Sequence, residues 1–256
     1  MCGYAIYRGI TTGLNDAFII DNRTKERLIA QDLRSEEIIK PVLRGRDIDR
    51  YRAKWAGMWL IDTHNGYGEV PAIDIDDYPA IKTFLDGHYE RLANRYDKGR
   101  TPYNLRNCAY HEHFAKEKLL WIELVNDGRF AYDKSGVYGE ATTFLLTGER
   151  IKYLCAVLNT RLIRWFLEKM APTSGMGTLR WKKVYVERLP IPRIAVPKQQ
   201  PFEQLVDRIL SVRAGDQHPI VAAVEAEIDK LVYRSYGLTP EEIAVVEEGS
   251  SPYSDA

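Results

Sequence analysis

The stretch TSGMGTLRWKKVYVERLPIP, residues 173–192, constrains the chain most. Gly175 and Gly177 admit backbone angles closed to other residues, so this loop can approach a partner surface closely. Arg180, Trp181, Lys182, Lys183 and Tyr185 follow, three cations and two ring systems within six residues. That mixture suits phosphates, base edges and stacking surfaces. Pro190 and Pro192 fix their own φ and push the preceding residues out of the helical region, so the segment must exit extended. A second unit is expected to begin there.

A chain of 256 residues can bury a substantial core, as one large domain or as a domain with an appendage. No apolar run approaches the roughly 20 residues that cross a bilayer, and the N-terminus lacks a signal-peptide pattern. Cys2, Cys108 and Cys155 are far apart, with no spacing for zinc or a disulfide framework. A cytoplasmic, reducing environment is the expectation. The net charge is zero, but residues 215–256 hold nine acids against Lys230 and Arg234, a net of −7, which leaves +7 on the rest. A basic body is compatible with a polyanionic partner.

The chain opens abruptly on an apparent strand, YAIYR, as an excised piece of a longer protein would. GITTGLNDAF then reads as a turn between that strand and an apolar run at 18–20. Ser35 can cap a short helix over 35–42. LRGRDIDRYRAKW carries five cations against two acids, with Tyr51 and Trp55 interleaved. Strands are expected near 58–62, 119–125, 129–132 and 142–146, with Asn126-Asp127-Gly128 as a hairpin signature. Apolar spacing predicts helices over 78–96 and 148–170, then two amphipathic helices over 202–213 and 220–236 in an antiparallel hairpin. Gly237 can end the second, and Thr239 and Glu242 form a capping box for a third. The fold class expected is α+β: a mixed or antiparallel sheet with packed helices over 1–194, a helical region over 195–248, and a frayed tail over 249–256.

Enzymatic signatures are missing. There is no phosphate-cradling GxxxxGK[ST] loop, GMG at 175–177 is no dinucleotide fingerprint, and no GxSxG elbow occurs. Asp74, Asp76 and Asp77 read as an acidic turn before a helix, and His111 and His113 as surface histidines lacking a third ligand, so no metal site is expected. Catalytic residues are not expected in this chain.

GITTGLNDAF, LRGRDIDRY, RYDKGRTPYNLRNCAY, KLLWIELV, LNTRLIRWF and RWKKVYVERLPIP together resemble the TaqI-like C-terminal target-recognition (specificity) domain of restriction-modification adenine methyltransferases, including the single-chain type IIG enzymes. The resemblance covers nearly the whole chain. It implies an α+β domain that contacts double-stranded DNA beside the target base. A preceding methyltransferase domain would bind S-adenosylmethionine and methylate adenine N6, and no cofactor is implied for this fragment. That family's catalytic motif, an Asn or Asp before two prolines and an aromatic, has no counterpart here, since the chain contains no Pro-Pro pair. Carried over by motif, the DNA-binding candidates are Arg8, Thr11, Thr12, Asn15, Arg44, Arg46, Arg50, Lys98, Arg100, Tyr103, Asn104, Arg106, Gly175, Gly177, Arg180, Trp181, Lys182 and Lys183. The alternative is a protein-protein scaffold whose basic loops are merely solvated.

Overall fold

Two four-stranded sheets are built from alternating side chains that bury apolar groups on both faces. The computed structural model describes residues 3–125, 128–171, 178–212 and 217–249. The strands are β1 (Tyr4–Arg8), β2 (Ile19–Ile20), β3 (Ile39–Leu43), β4 (Trp59–Ile61), β5 (Lys118–Ile122), β6 (Ala131–Asp133), β7 (Tyr138–Gly139) and β8 (Thr143–Gly148). The helices are α1 (Asn15–Phe18), α2 (Asn22–Gln31), α3 (Pro79–Asp86), α4 (Tyr89–Asn94), α5 (Ile151–Leu158), α6 (Arg161–Met170), α7 (Lys183–Val186), α8 (Val196–Ser211), α9 (Gln217–Tyr236) and α10 (Pro240–Gly249).

The first sheet runs β1-β8-β5-β6, antiparallel throughout, and the second runs β2-β4-β3-β7 with only the β3–β7 pair parallel. The fold is therefore α+β, as the strand and helix spacing predicts. Side chains alternate across a strand, so Leu119 and Trp121 of β5 enter one core while Leu120 enters the other. Leu146 and Leu145 of β8 divide the same way. The first sheet thus separates two cores, each fully buried Leu or Phe contributing about 1.5–3 kcal/mol relative to exposure.

One core is completed by α5 and α6 and by Phe202, Val206 and Ile209 of α8 and Val224, Ile228 and Val232 of α9. The helices beyond residue 195 therefore share a core with the sheet. The other core gathers the second sheet with Phe18, Leu28, Ile81, Leu85 and Leu92. The capping box closes as its spacing predicts: the Thr239 backbone N–H donates to Glu242 Oε2 at 2.8 Å, and that of Glu242 to Thr239 Oγ1 at 3.3 Å. Among the described residues no helix is long and apolar enough to cross a membrane.

Several local expectations fail where side chains or tertiary pairing compete with the helix. Residues 35–42 form a 3-10 turn over Leu33–Ile38 and then β3, because β-branched Ile39 and Val42 suit a strand and Pro41 has no N–H to give a helix interior. The helix expected over 78–96 breaks at Gly87 into α3 and α4, and Tyr96 lies beyond the second, 99% exposed. The helix expected over 148–170 divides at Asn159 and Thr160. Asn159 Nδ2 donates to the Phe130 and Cys155 carbonyls, both at 2.9 Å, and Thr160 Oγ1 to the Val157 carbonyl at 2.7 Å. Such side-chain bonds offer the backbone an alternative to the helix. After β1 the chain makes α1 instead of a tight return, and the following β2 joins the other sheet. The expected hairpin pairing of β5 with β6 is present; its Asn126 and Asp127 lie outside the described residues, as does most of the tail. His111 is not a surface histidine: it is 4% exposed, on a 3-10 turn over His111–Ala115.

Charged groups fasten the helical layer from inside. Arg50 pairs with Glu225 of α9 at 3.1 Å and donates to the Asn159 carbonyl at 2.7 Å, while Arg52 donates to the Ile209 and Val212 carbonyls at the end of α8. Asp229, 4% exposed, accepts the backbone N–H of Arg161 at 3.1 Å, and burial pushes its carboxyl up to about 6. An unfolded aspartate titrates near about 3.9. The folded state therefore takes up this proton first as pH falls below the folded value, and this group adds stability on going from pH 7 toward 4, by up to about 3 kcal/mol. Asp229→Asn is expected to remove that gain, read as a smaller difference between urea midpoints at pH 7 and pH 5 than in the unsubstituted chain.

Candidate functional site

Register brings the ends of several strands to one edge. Arg8, the last residue of β1, lies opposite Phe144 near the start of β8, and Ile122, the last of β5, lies opposite Thr143. Leu43 and Gly139, which end β3 and β7, are partners as well. The connections between these ends interlock. Arg8 Nε donates to the Ala141 carbonyl at 2.7 Å, Gly9 N–H to that of Thr143 at 2.8 Å, and Ile10 N–H to that of Gly139 at 2.7 Å. Gly9 is required by this closeness, since a Cβ there would stand 1.9 Å from the Glu140 carbonyl oxygen. A Cβ on Gly45 would stand 3.0 Å from Ile122 Cγ2, so the turn carrying Arg44 and Arg46 sits against the end of β5.

The segment at 178–183 joins the same edge. Leu124 bridges Arg180, and the Trp181 N–H donates to the Glu123 carbonyl at 2.7 Å. On the other flank Arg95 ties two loops together. Its guanidinium donates to the carbonyls of Thr12, Asn104 and Pro102, the last at 3.1 Å, and lies 4.5 Å over the Phe18 ring. The loops at 9–15 and 95–106 are thereby held as one unit. Following these contacts from Arg180 through Arg46, Arg8 and the Arg95 clamp to Arg100 traces a continuous path of neighbouring loops.

The candidates meet different fates along it. Arg8, Arg46 and Arg100 are exposed, and Arg180 is half-buried. Arg44 pairs with Asp47 at 3.3 Å, Arg106 with Asp97 at 3.0 Å, Lys182 with Glu123 at 3.5 Å and Lys183 with Glu187 at 3.5 Å. The last three pairs are largely exposed, so they are worth about 0–1 kcal/mol and can exchange for another anion, whereas the Asp47 side chain is 6% exposed. Lys98 turns back onto the Ala93 carbonyl, and Tyr103 donates to Asp86 at 2.5 Å, its hydroxyl pushed up to about 12 by burial and that carboxylate. Thr11 is half-buried and Asn15 exposed.

Four candidates require correction. Thr12 and Asn104 are each 2% exposed and Trp181 is 0% exposed, so these side chains have almost no surface to offer a ligand. Thr12 bonds Asn15 at 2.6 Å, and Asn104 bonds Thr101 at 2.7 Å and the Ile73 carbonyl at 2.9 Å, which shapes their turns. Trp181 fills the space over Gly128, where a Cβ would stand 2.2 Å from its ring, and donates to the Val125 carbonyl at 3.0 Å. Arg50 is consumed by its internal ion pair with Glu225. Gly175 and Gly177 lie outside the described residues.

Three residues not among the sequence candidates line or fix this region: Arg95, Asn65 and Asn107. Asn65 approaches from the loop after β4, where its amide nitrogen donates to Asn107 and its oxygen accepts the Arg100 N–H at 2.7 Å. Arg95 opens the basic motif RYDKGRTPYNLRNCAY and Asn107 lies in its polar run after Tyr103, whereas Asn65 carries no sequence signal of its own. Beneath this loop His111 meets Asp62 Oδ1 at 3.0 Å, Tyr138 donates to Asp62 Oδ2 at 3.2 Å, and Tyr67 stacks on His111 at 4.3 Å between centroids. Among the described residues no group of three or more His, Cys, Asp or Glu side chains is placed to hold a metal ion.

Comparison with known proteins gives consistent relatives. Residues 40–191 match the family described as the TaqI-like C-terminal specificity domain. The type II methyltransferase M.BstVI of Geobacillus stearothermophilus is 24% identical over 245 residues, covering 94% of this chain and 40% of that protein. Type II methyltransferase M.PaeR7I of Pseudomonas aeruginosa is 22% identical over 242 residues, covering 91% and 38%. The chain thus spans about two fifths of the length of these relatives. Among solved structures, the type IIL restriction-modification enzyme MmeI in complex with DNA is similar with a TM-score of 0.69 at 14% identity, covering 96% of this chain and 35% of that one, a likeness of fold.

Proposed function

The chain belongs to the family of TaqI-like C-terminal specificity domains, and from that premise we propose that it reads a double-stranded DNA target for a restriction-modification methyltransferase. The observation that supports this most is the path of basic loops along the common strand-end edge, with Arg8, Arg46 and Arg100 presented to solvent. Cations on separate, interlocked turns keep fixed spacings, which a repeating phosphate backbone demands. Arginine forks among them suit guanine edges in the major groove.

The chemistry belongs elsewhere in this reading. A methyltransferase domain preceding this chain binds S-adenosylmethionine, transfers its methyl group to adenine N6 and forms the other wall of the DNA cleft. The present chain selects the site and supplies no catalytic residue. An intracellular location follows from a DNA substrate.

Duplex titration by fluorescence anisotropy tests the proposal. Affinity is expected to fall steeply with salt, since each phosphate contact contributes a slope of about −0.9 in log affinity against log salt. Arg8→Ala and Arg46→Ala should each shallow that slope and weaken all duplexes alike, whereas Arg180→Ala should cost about 1–3 kcal/mol at one base pair. Absence of duplex binding at low salt, by this chain and by the longer protein containing it, would refute the proposal.

A further inference from the structure

The loop carrying Asn65 and Tyr67 and the segment carrying Arg100 and Asn107 enclose a surface cavity of about 490 Å³. Hydrogen bonding fixes which way its amides face. The Arg100 backbone N–H donates to Asn65 Oδ1 at 2.7 Å, and since an N–H only donates, that Asn65 atom must be the oxygen. Asn65 therefore turns its amide nitrogen to Asn107, and the Asn107 atom receiving it must be the oxygen. Packing holds this arrangement, because a Cβ on Gly99 would stand 2.5 Å from Asn65 Oδ1. What remains for a ligand is the Asn107 amide nitrogen, one lone pair of its oxygen and the Arg100 guanidinium, all on exposed residues without another partner among the described residues.

The amide nitrogen and the guanidinium donate. A two-pronged contact of asparagine to adenine needs its oxygen to accept from the N6 amino group and its nitrogen to donate to N7. Here the oxygen of Asn107 already accepts from Asn65, which leaves it one lone pair, and the Arg100 guanidinium beside it has donors only, so the pair is weighted toward a partner with acceptors. Guanine instead offers two acceptors, O6 and N7, on its major-groove edge. Resting on the DNA-reading function proposed above, we infer that Arg100 and Asn107, with Asn65 as the residue that orients them, form a recognition site for the acceptor edge of one guanine in the target. The backbone phosphate is the other acceptor-only source on DNA, but it carries no base identity.

The test begins by selecting preferred duplexes from a randomised pool with the unsubstituted chain. Arg100→Ala and Asn107→Ala are each expected to lose about 10- to 100-fold in affinity for the selected duplex, with preference relaxed at a single G·C pair. Replacing that guanine by 7-deazaguanine, which lacks N7, should weaken the unsubstituted chain but not Arg100→Ala. Asn107→Asp, which presents an acceptor in place of the donor, should abolish the preference for guanine at that pair. Arg100 and Asn107 are exposed, so thermal melting should verify unchanged folding of these variants. The inference is overturned if the variants weaken every duplex equally, as a phosphate contact would, or if 7-deazaguanine at every guanine leaves binding unchanged. A chain that selects no sequence at all overturns the DNA-reading function itself, and this inference with it.

Discussion

Arg95→Ala is expected to destabilise the fold by about 3–5 kcal/mol and to abolish selective DNA binding in the protein that remains folded. The side chain is 7% exposed, and burial lowers its guanidinium to about 10 while it donates to three backbone carbonyls from two loops. Alanine leaves the Thr12 and Pro102 carbonyls without this donor, while that of Asn104 keeps the Gly99 N–H at 2.9 Å, and each loss at a buried carbonyl costs about 1–3 kcal/mol before relaxation. It also removes the cation from the Phe18 ring. Arg95→Lys keeps a charge but a single nitrogen cannot span three acceptors, so it should recover only part of the stability. Urea midpoints measure the cost. Amide exchange should show faster opening at Gly99 and Leu105 than in the sheet, because the clamp acts locally. Equal stability of Arg95→Ala and the unsubstituted chain would disprove its role as the staple of these loops.

Lys118→Met is expected to cost a similar amount, about 3–5 kcal/mol, with a different functional consequence. The Lys118 side chain is fully buried, with Nζ 2.5 Å from Asp133 Oδ2, 2.7 Å from the Phe114 carbonyl and 3.3 Å from the Lys116 carbonyl. Removing the lysine leaves the Asp133 carboxylate buried with only its turn bonds to Ser135 and Gly136. The double variant Lys118→Met/Asp133→Asn should recover part of the loss, since neither charge then lacks a partner. Lys118 pairs with Thr147 and Asp133, away from the strand ends that hold Arg8 and Ile122. Selectivity among duplexes should accordingly survive in the folded fraction. A selectivity change as large as that of Arg100→Ala would contradict this separation of stability from reading.

Much of the local structure is legible in the chain. Thr239 and Glu242 announce their helix because both bonds close within one turn. The apolar runs around Leu119 and Ala131 pair as a hairpin would. Asn159 and Thr160 show the limit of such reading: an apolar stripe continues past them, but their bonds to Phe130, Cys155 and Val157 end one helix before the next begins. The candidate site was legible as a set of basic turns and not as individual contacts. Trp181 sits in a strongly cationic stretch and yet is a core side chain, Arg95 opens another basic run and yet is buried, and Asn65 carries no local mark.

By itself the sequence determined the class of elements, the capped helix at Thr239, the cationic turns and the family motifs, because these rest on interactions within a few residues or on composition. Only the tertiary structure decided which cations face solvent. Arg95 bonds Thr12 across 83 residues, and Arg50 meets Glu225 from another layer, so each is desolvated by groups its neighbours in sequence do not reveal. Arg46 and Arg100 carry the same charge but remain exposed. The difference is physical: burying a charge depends on partners brought together by the fold, whereas turn and helix propensity depends on the adjacent chain.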